Sequence, residues 1–369
     1  MGAHSKNRLT IVLAAGGTGG HMIPAEAVAD ALSARGHNLI LVTDPRGDAY
    51  PAIMDNYERT VLKTNGMSAG LLGKVKGAFS LARDTIACRQ FLKKVKADVV
   101  IGFGGYPSMP TVVAAKSCGI PYILHEQNTV LGRVNRLMAK SSEAIALAYE
   151  NTWRIPENVE YFVTGNPVRK QVLDSLSHGY SLPRSGETFN VLIMGGSQGA
   201  HILSKVVPNA IAALVEADRK RLKVVHQARV EDIELVSNIY EQAGVSATVE
   251  SYFVDIPQRM ATSQLVISRA GASSLAEISV LGLPSFLVPL KIAMDDHQTT
   301  NAAVLSEAGA AVVFREEEFT VESVKENITQ LLSDGSKRLQ AMSKAAQSCG
   351  SEHSALVLAD LIEKVCKRS

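Results

Sequence analysis

Thr10-Ile11-Val12-Leu13-Ala14-Ala15-Gly16-Gly17-Thr18-Gly19-Gly20-His21 and Asn190-Val191-Leu192-Ile193-Met194-Gly195-Gly196-Ser197-Gln198-Gly199 follow one pattern. Each places a short apolar run before Gly-Gly-Thr or Gly-Gly-Ser, and a helical stretch follows. An apolar run closed by glycines reads as a buried strand, and a glycine-rich strand-to-helix turn opens a Rossmann-like unit. The chain has 369 residues, more than one hydrophobic core usually organises. The reading that follows is α/β: two Rossmann-like domains facing a deep cleft.

The remaining strands alternate with helical stretches, which argues for parallel sheets covered by helices. In the first half they are expected near Leu9–Ala14, Asn38–Thr43, Asp98–Ile101, Pro121–Leu124, Ala144–Ala148 and Tyr161–Thr164. In the second they fall near Asn190–Met194, Lys223–Gln227, Thr248–Ser251, Leu265–Ser268, Ser285–Val288 and Ala311–Phe314. The stretch Leu173–Thr188, rich in Ser, Gly and Pro, separates the first half's last motif from the second half's first strand and reads as the linker or as the segment that follows closely after it. Leu339–Ser369 reads as helix with a basic end.

Composition excludes several classes. Apolar residues make up 46% and charged residues 20%, so the chain is a folded protein rather than a disordered one. A net charge of +2 is too balanced for a general nucleic-acid binder. Cys88, Cys118, Cys349 and Cys366 are scattered, without a CxxC pair, so neither a zinc site nor a disulfide framework is expected. Lys6 breaks the myristoylation pattern, no signal-peptide apolar region opens the chain, and the longest apolar candidate, Val280–Leu290, is broken by Gly282, Pro284 and Pro289. Any membrane contact would be made from the surface.

The glycine-rich turns carry the chemistry. In Gly16 to His21, glycines allow close backbone approach to a ligand, and the N–H groups of a helix start, here marked by Pro24, attract anions. Met22 stands where a dinucleotide fingerprint needs its third glycine, which weakens a nicotinamide reading although Asp44 could imitate a ribose-binding acid. His21 at a helix N-terminus is disfavoured as a cation. It suits either a proton acceptor or a polar cap. Gly102-Phe103-Gly104-Gly105-Tyr106-Pro107-Ser108 and His125-Glu126-Gln127-Asn128 sit after further strands, on the edge where ligands collect.

At the close of the first domain, Arg169 after Gly165-Asn166-Pro167-Val168 is either a phosphate fork or a surface cation. Ser274 and Glu277 satisfy a capping box, and Glu277 could instead hold the vicinal hydroxyls of a ribose. Asp295, Asp296 and His297 are read as a polar sugar-facing loop rather than a metal cluster. Leu71, Leu72, Lys74, Lys76 and Phe79 mix apolar and basic character with no acid until Asp84, as in segments that lie on anionic membranes or pack on their own domain.

Taken in order, GGTGGH, GFGGYPS, HEQN, GNPVR, GGSQG, RAGASSLAE and DHQTTNA resemble the MurG family of bacterial glycosyltransferases over essentially the whole chain. The resemblance implies a GT-B type fold, with residues 1–165 as an acceptor- and membrane-facing domain and 166–345 as the UDP-GlcNAc-binding domain. A helix in 346–369 would return toward the first domain. It implies inverting transfer of N-acetylglucosamine from UDP-GlcNAc to lipid I, giving lipid II, with no cofactor and no metal. Donor binding carries over to Thr18, Gly19, Gly20, Asn128, Arg169, Ser197, Gln198, Ala272, Ser273, Ser274, Leu275, Ala276, Glu277 and Gln298. Acceptor binding carries over to Gly16, Gly17, Gly104, Gly105 and Tyr106, and His21 or Glu126 would be the base. The implied place is the cytoplasmic face of the inner membrane, held peripherally.

One departure stands out: Ala270 occupies a position where the family often carries a hydroxyl beside the donor diphosphate. The apolar residue that packs on uracil is expected within Phe253–Ile256. A UDP-GlcNAc 2-epimerase-like enzyme shares the plan, and a nicotinamide oxidoreductase and a non-catalytic lipid-phosphate-binding adaptor are the other rivals.

Overall fold

A computed structural model describes residues 8–48, 56–62, 71–184, 186–196, 199–291, 294–333 and 336–368. By packing, the chain divides into one unit of 1–168 with 353–369 and a second of 169–352.

The first unit runs β1 Thr10–Ala14, α1 Gly19–Ala34, β2 Asn38–Thr43, α2 Pro45–Asp48, β3 Glu58–Val61, α3 Leu71–Val95, β4 Val99–Gly102, α4 Gly105–Cys118, β5 Tyr122–Glu126, α5 Arg133–Met138, β6 Ala144–Leu147 and β7 Tyr161–Val163. Its sheet is parallel throughout, in the order β3-β2-β1-β4-β5-β6-β7. Side chains alternate across it with the two-residue period of a strand. Ile11 and Leu13 face a core shared with α1 and the final helix, while Val12 faces the core under α3 and α4.

The second unit runs α6 Lys170–Asp174, β8 Phe189–Met194, α7 His201–Ala212, α8 Glu216–Arg219, β9 Leu222–Gln227, α9 Ile233–Gln242, β10 Ser246–Glu250, α10 Ile256–Ala261, β11 Leu265–Ser268, α11 Ala272–Leu281, β12 Ser285–Leu287, α12 His297–Glu307, β13 Ala311–Val313, α13 Val321–Ser333 and α14 Lys337–Cys349. Its parallel sheet has the order β10-β9-β8-β11-β12-β13. Both sheets therefore reverse direction beside their first strand, and in doubly wound folds ligands bind outside the carboxyl ends of the strands at such a switch point. The loops after β1 and β4 meet there in the first unit, and those after β8 and β11 in the second.

Several local expectations are corrected. β3 is not legible as an apolar run: Glu58-Arg59-Thr60-Val61 is an edge strand, half solvated, and needs no buried alternation. α1 begins at Gly19, so Pro24 lies inside the helix rather than marking its start. The stretch Leu173–Thr188 follows closely after the boundary between the units at Val168 and Arg169, and lies within the second unit, where Tyr180 and Leu182 pack on the core. The C-terminal helix is two helices. α14 stops before Gly350, where a Cβ would come within 2.7 Å of the Val280 nitrogen.

The second of these, α15 Ser354–Arg368, packs on α1 in the first unit. Arg35 pairs with Asp360 at 2.7 Å and with Glu363 at 3.3 Å. His37 Nδ1 accepts the Leu9 N–H at 3.2 Å, and its Nε2 lies 2.9 Å from Glu363. Apolar Leu358, Ala359 and Ile362 supply the buried face of the same helix.

Candidate active site

In the first unit the site is built on the turns after β1, β4 and β5. His21 sits in the first turn of α1, half-buried, with its Nδ1 3.1 Å from the Gly16 carbonyl. Its ring lies against the turn after β4. A Cβ on Gly105 would meet the imidazole at 2.9 Å, and Gly104 and Gly105 both take positive φ, at 81° and 71°. Only glycine holds that turn and leaves room for the ring. The N-termini of α1 and α4 thus converge on His21.

Asp44 is not a ribose-binding acid. It is buried beneath the opening loop, where its Oδ1 accepts the N–H groups of Gly17 and Gly47 at 2.8 and 3.0 Å, and Arg46 neutralises Oδ2 at 3.0 Å. A Cβ on Gly16 would meet this carboxylate at 2.6 Å. The acid therefore fixes the shape of the Gly16–Gly20 turn. The run Asp44-Pro45-Arg46-Gly47 carried a signal for this, since Asp before Pro and Gly commonly bonds its own following backbone.

Glu126 is buried at the end of β5, and four N–H groups converge on it. Asn128 donates from its backbone and its side chain to Oε1 at 3.1 and 3.0 Å. Gly132 N–H and Asn135 Nδ2 donate to Oε2 at 2.7 and 2.9 Å. A carboxylate offers about four lone-pair sites, so these bonds satisfy it. Asn135, which sequence reading passed over, also donates to the His125 carbonyl at 3.1 Å. Its position in α5 becomes meaningful only once the fold brings that helix under the turn.

His125 is fully buried and neutral. Burial, partly offset by the Gly165 carbonyl and reinforced by nearby His21, lowers its pKa to about 4. Gln127 donates to its Nδ1 at 2.9 Å, which leaves the Nε2 proton for the Gly165 carbonyl at 3.2 Å. The His125 and Gln127 of the cluster are scaffolding; Gln127 also ties the Phe103 carbonyl at 3.0 Å. Tyr106 donates its hydroxyl to the Gly77 carbonyl at 3.2 Å, pinning α4 to α3. Thr18 is exposed at the helix start, Gly19 is buried and Gly20 half-buried.

In the second unit, Gly195 and Gly199 pack against backbone and against Arg229, respectively; Ser197 and Gln198 lie outside the described residues. The turn after β11 leads into α11 with Gly271 as its N-cap. This overturns the capping box: Ser274 is a third helical residue and Glu277 is well inside the helix, too far along to reach the cap. Glu277 instead points to Arg169, which donates from Nε and Nη2 to its two oxygens at 2.6 Å each.

Ala272, Ser273, Leu275 and Ala276 are buried along α11, Ser274 half so. Gln298 accepts the Leu290 N–H at 3.0 Å, joining the loop after β12 to α12. Ala270 is wholly buried, so the missing hydroxyl is absent from a packed position rather than from the surface. Within Phe253–Ile256, where the residue packing on uracil is expected, Phe253 is buried beneath Arg259, 4.3 Å above its ring, while Val254 is exposed. The mixed apolar and basic segment expected to meet a membrane forms the start of α3. The side chains of Leu71, Leu72, Lys74 and Lys76 lie outside the described residues, and Phe79 is 74% exposed.

Comparison with known proteins gives one consistent result. Residues 11–147 match the glycosyltransferase family 28 N-terminal domain and residues 190–360 its C-terminal domain. A relative from Sphingopyxis alaskensis is 43% identical over 95% of this chain and 90% of its own length. Another, from Gluconobacter oxydans, is 42% identical over 97% and 99%. Both are named UDP-N-acetylglucosamine–N-acetylmuramyl-(pentapeptide) pyrophosphoryl-undecaprenol N-acetylglucosamine transferase. The crystal structure of Acinetobacter baumannii MurG superposes with a TM-score of 0.76 at 29% identity, covering 96% of this chain and 99% of that one.

Proposed function

The chain belongs to glycosyltransferase family 28, and we infer from that membership and its full-length relatives that it makes lipid II. It moves N-acetylglucosamine from UDP-GlcNAc to the undecaprenyl-pyrophosphoryl-MurNAc-pentapeptide acceptor. The observation that carries this is identity above 40% across nearly the whole of both chains. The epimerase, oxidoreductase and adaptor readings lose to it on that ground. Transfer of labelled GlcNAc to a lipid I analogue tests it.

The chemistry is displacement at the donor's anomeric carbon with inversion. The acceptor hydroxyl forms the new bond, the bond to UDP breaks, and the hydroxyl proton goes to a base as charge develops on the sugar ring and the diphosphate. His21 is the base. Its support is geometric: the imidazole sits where the N-termini of α1 and α4 converge, whereas the oxygens of Glu126 are already committed to N–H donors. Those helix starts, with the Gly16–Gly20 and Gly104–Gly105 turns, suit the acceptor's pyrophosphate. The turn into α11 suits the donor's diphosphate, and Glu277 its ribose.

The protein works at the cytoplasmic surface of the inner membrane. Among the described residues no helix is long and apolar enough to cross a bilayer. Exposed Phe79 beside the basic start of α3 supports attachment through Leu71, Leu72, Lys74, Lys76 and Phe79 to anionic lipid.

A further inference from the structure

The ordinary carry-over gives Arg169 to the donor's phosphates and Glu277 to its ribose, as two independent contacts. The geometry points to a different division: Arg169 is a positioning residue that acts through Glu277, and the pair together reads the ribose of the nucleotide. This rests on the nucleotide-sugar reading above.

Glu277 belongs to α11 and Arg169 to the cap of α6, two helices packed together in the second unit. Nε and Nη2 present one straight edge of the guanidinium to both carboxylate oxygens at 2.6 Å, the side-on fork in which each oxygen receives one bond. The Glu277 side chain is 3% exposed and that of Arg169 21%. A carboxylate so buried keeps its charge only with a partner, and each of its oxygens retains a lone pair after the fork is made. Two lone pairs held side by side, on a plane fixed by Arg169, match two neighbouring hydroxyls that each donate one hydrogen bond. A diphosphate offers no such donors and would be repelled by the carboxylate. The edge of Arg169 defined by Nε and Nη2 is also occupied by Glu277 while the fork persists.

Lysine at 169 keeps the charge but not the planar fork, so it leaves the Glu277 carboxylate badly oriented. The test compares kcat/KM for UDP-GlcNAc and for its 2′-deoxyribose counterpart in wild type, Arg169→Lys, Glu277→Gln and the double variant. The ratio of the two donors is independent of how much enzyme is correctly folded. The expected result is a wild-type preference for the ribose donor of about tenfold or more. Arg169→Lys should lose most of it, to the level of Glu277→Gln, and the double variant should lose no more. An Arg169→Lys enzyme that is slower with both donors by the same factor, with its preference intact, overturns the proposal and returns Arg169 to the phosphates. A wild type without preference, or a Glu277→Gln variant that keeps it, overturns it as well. Absence of GlcNAc transfer by wild type is the separate outcome that defeats the enzyme reading itself.

Discussion

Asn135 Nδ2 lies 2.9 Å from Glu126 Oε2 and 3.1 Å from the carbonyl of His125, so one amide holds both the carboxylate and the backbone of the strand end that carries it. With Gly132 and Asn128 on its other lone pairs, Glu126 organises the loop between β5 and α5. A carboxylate held this way positions Asn128.

The two candidate bases are therefore separable. His21→Ala should lower kcat about 10²- to 10⁴-fold with the melting temperature little changed. Glu126→Gln turns an amide NH₂ toward N–H donors and should cost about 1.5–3 kcal/mol of stability. It should also raise the KM for UDP-GlcNAc while preserving the pH dependence of kcat. Retained turnover in His21→Ala, or loss of the pH dependence in a stable Glu126→Gln enzyme, would reverse the assignment.

Removing Arg169 strands a buried carboxylate. Arg169→Ala should destabilise the protein by about 3–5 kcal/mol in urea, and replacing both partners, Arg169→Met with Glu277→Leu, should recover much of that loss. Equal destabilisation by the single and double changes would contradict a paired burial.

Two buried histidines set the acid limit. Burial lowers His125 to about 4 and His226 to about 3, against 6.5 ordinarily. The unfolded chain takes up their protons below pH 6.5 while the folded chain does not, so unfolding gains as pH falls. Stability is then complete above about pH 6.5 and declines toward pH 4, by up to about 1.4 kcal/mol per pH unit for each histidine. Thermal melts from pH 7.5 to 5 should show this decline, with a shallower slope in His226→Phe. An unchanged slope in that variant would remove His226 from the explanation.

At the membrane, reversing the charge of Lys74 and Lys76 to Glu should release the protein from vesicles containing anionic lipid. Sedimentation with such vesicles at the wild-type level would exclude this segment as the attachment.

The strands were legible because each central one is a short apolar run, while β3 was not, since an edge strand tolerates Glu58 and Arg59. The glycine turns were legible for the same local reason. What the sequence concealed were long-range pairings. The local run after Asp44 hints at its bond to Gly47 but not at its bond to distant Gly17, and the spacing of Ser274 and Glu277 allows a cap without showing the pairing with Arg169. Asn135 gave no sign at all, because its partners lie in the β5 strand end and are chosen by packing.

The most direct measurement is transfer of labelled N-acetylglucosamine from UDP-GlcNAc to a lipid I analogue by the purified protein. Formation of a lipid II product, with UDP released only when the lipid acceptor is present, is the expected result. Release or isomerisation of the donor without acceptor, or no labelled lipid at all, would contradict it.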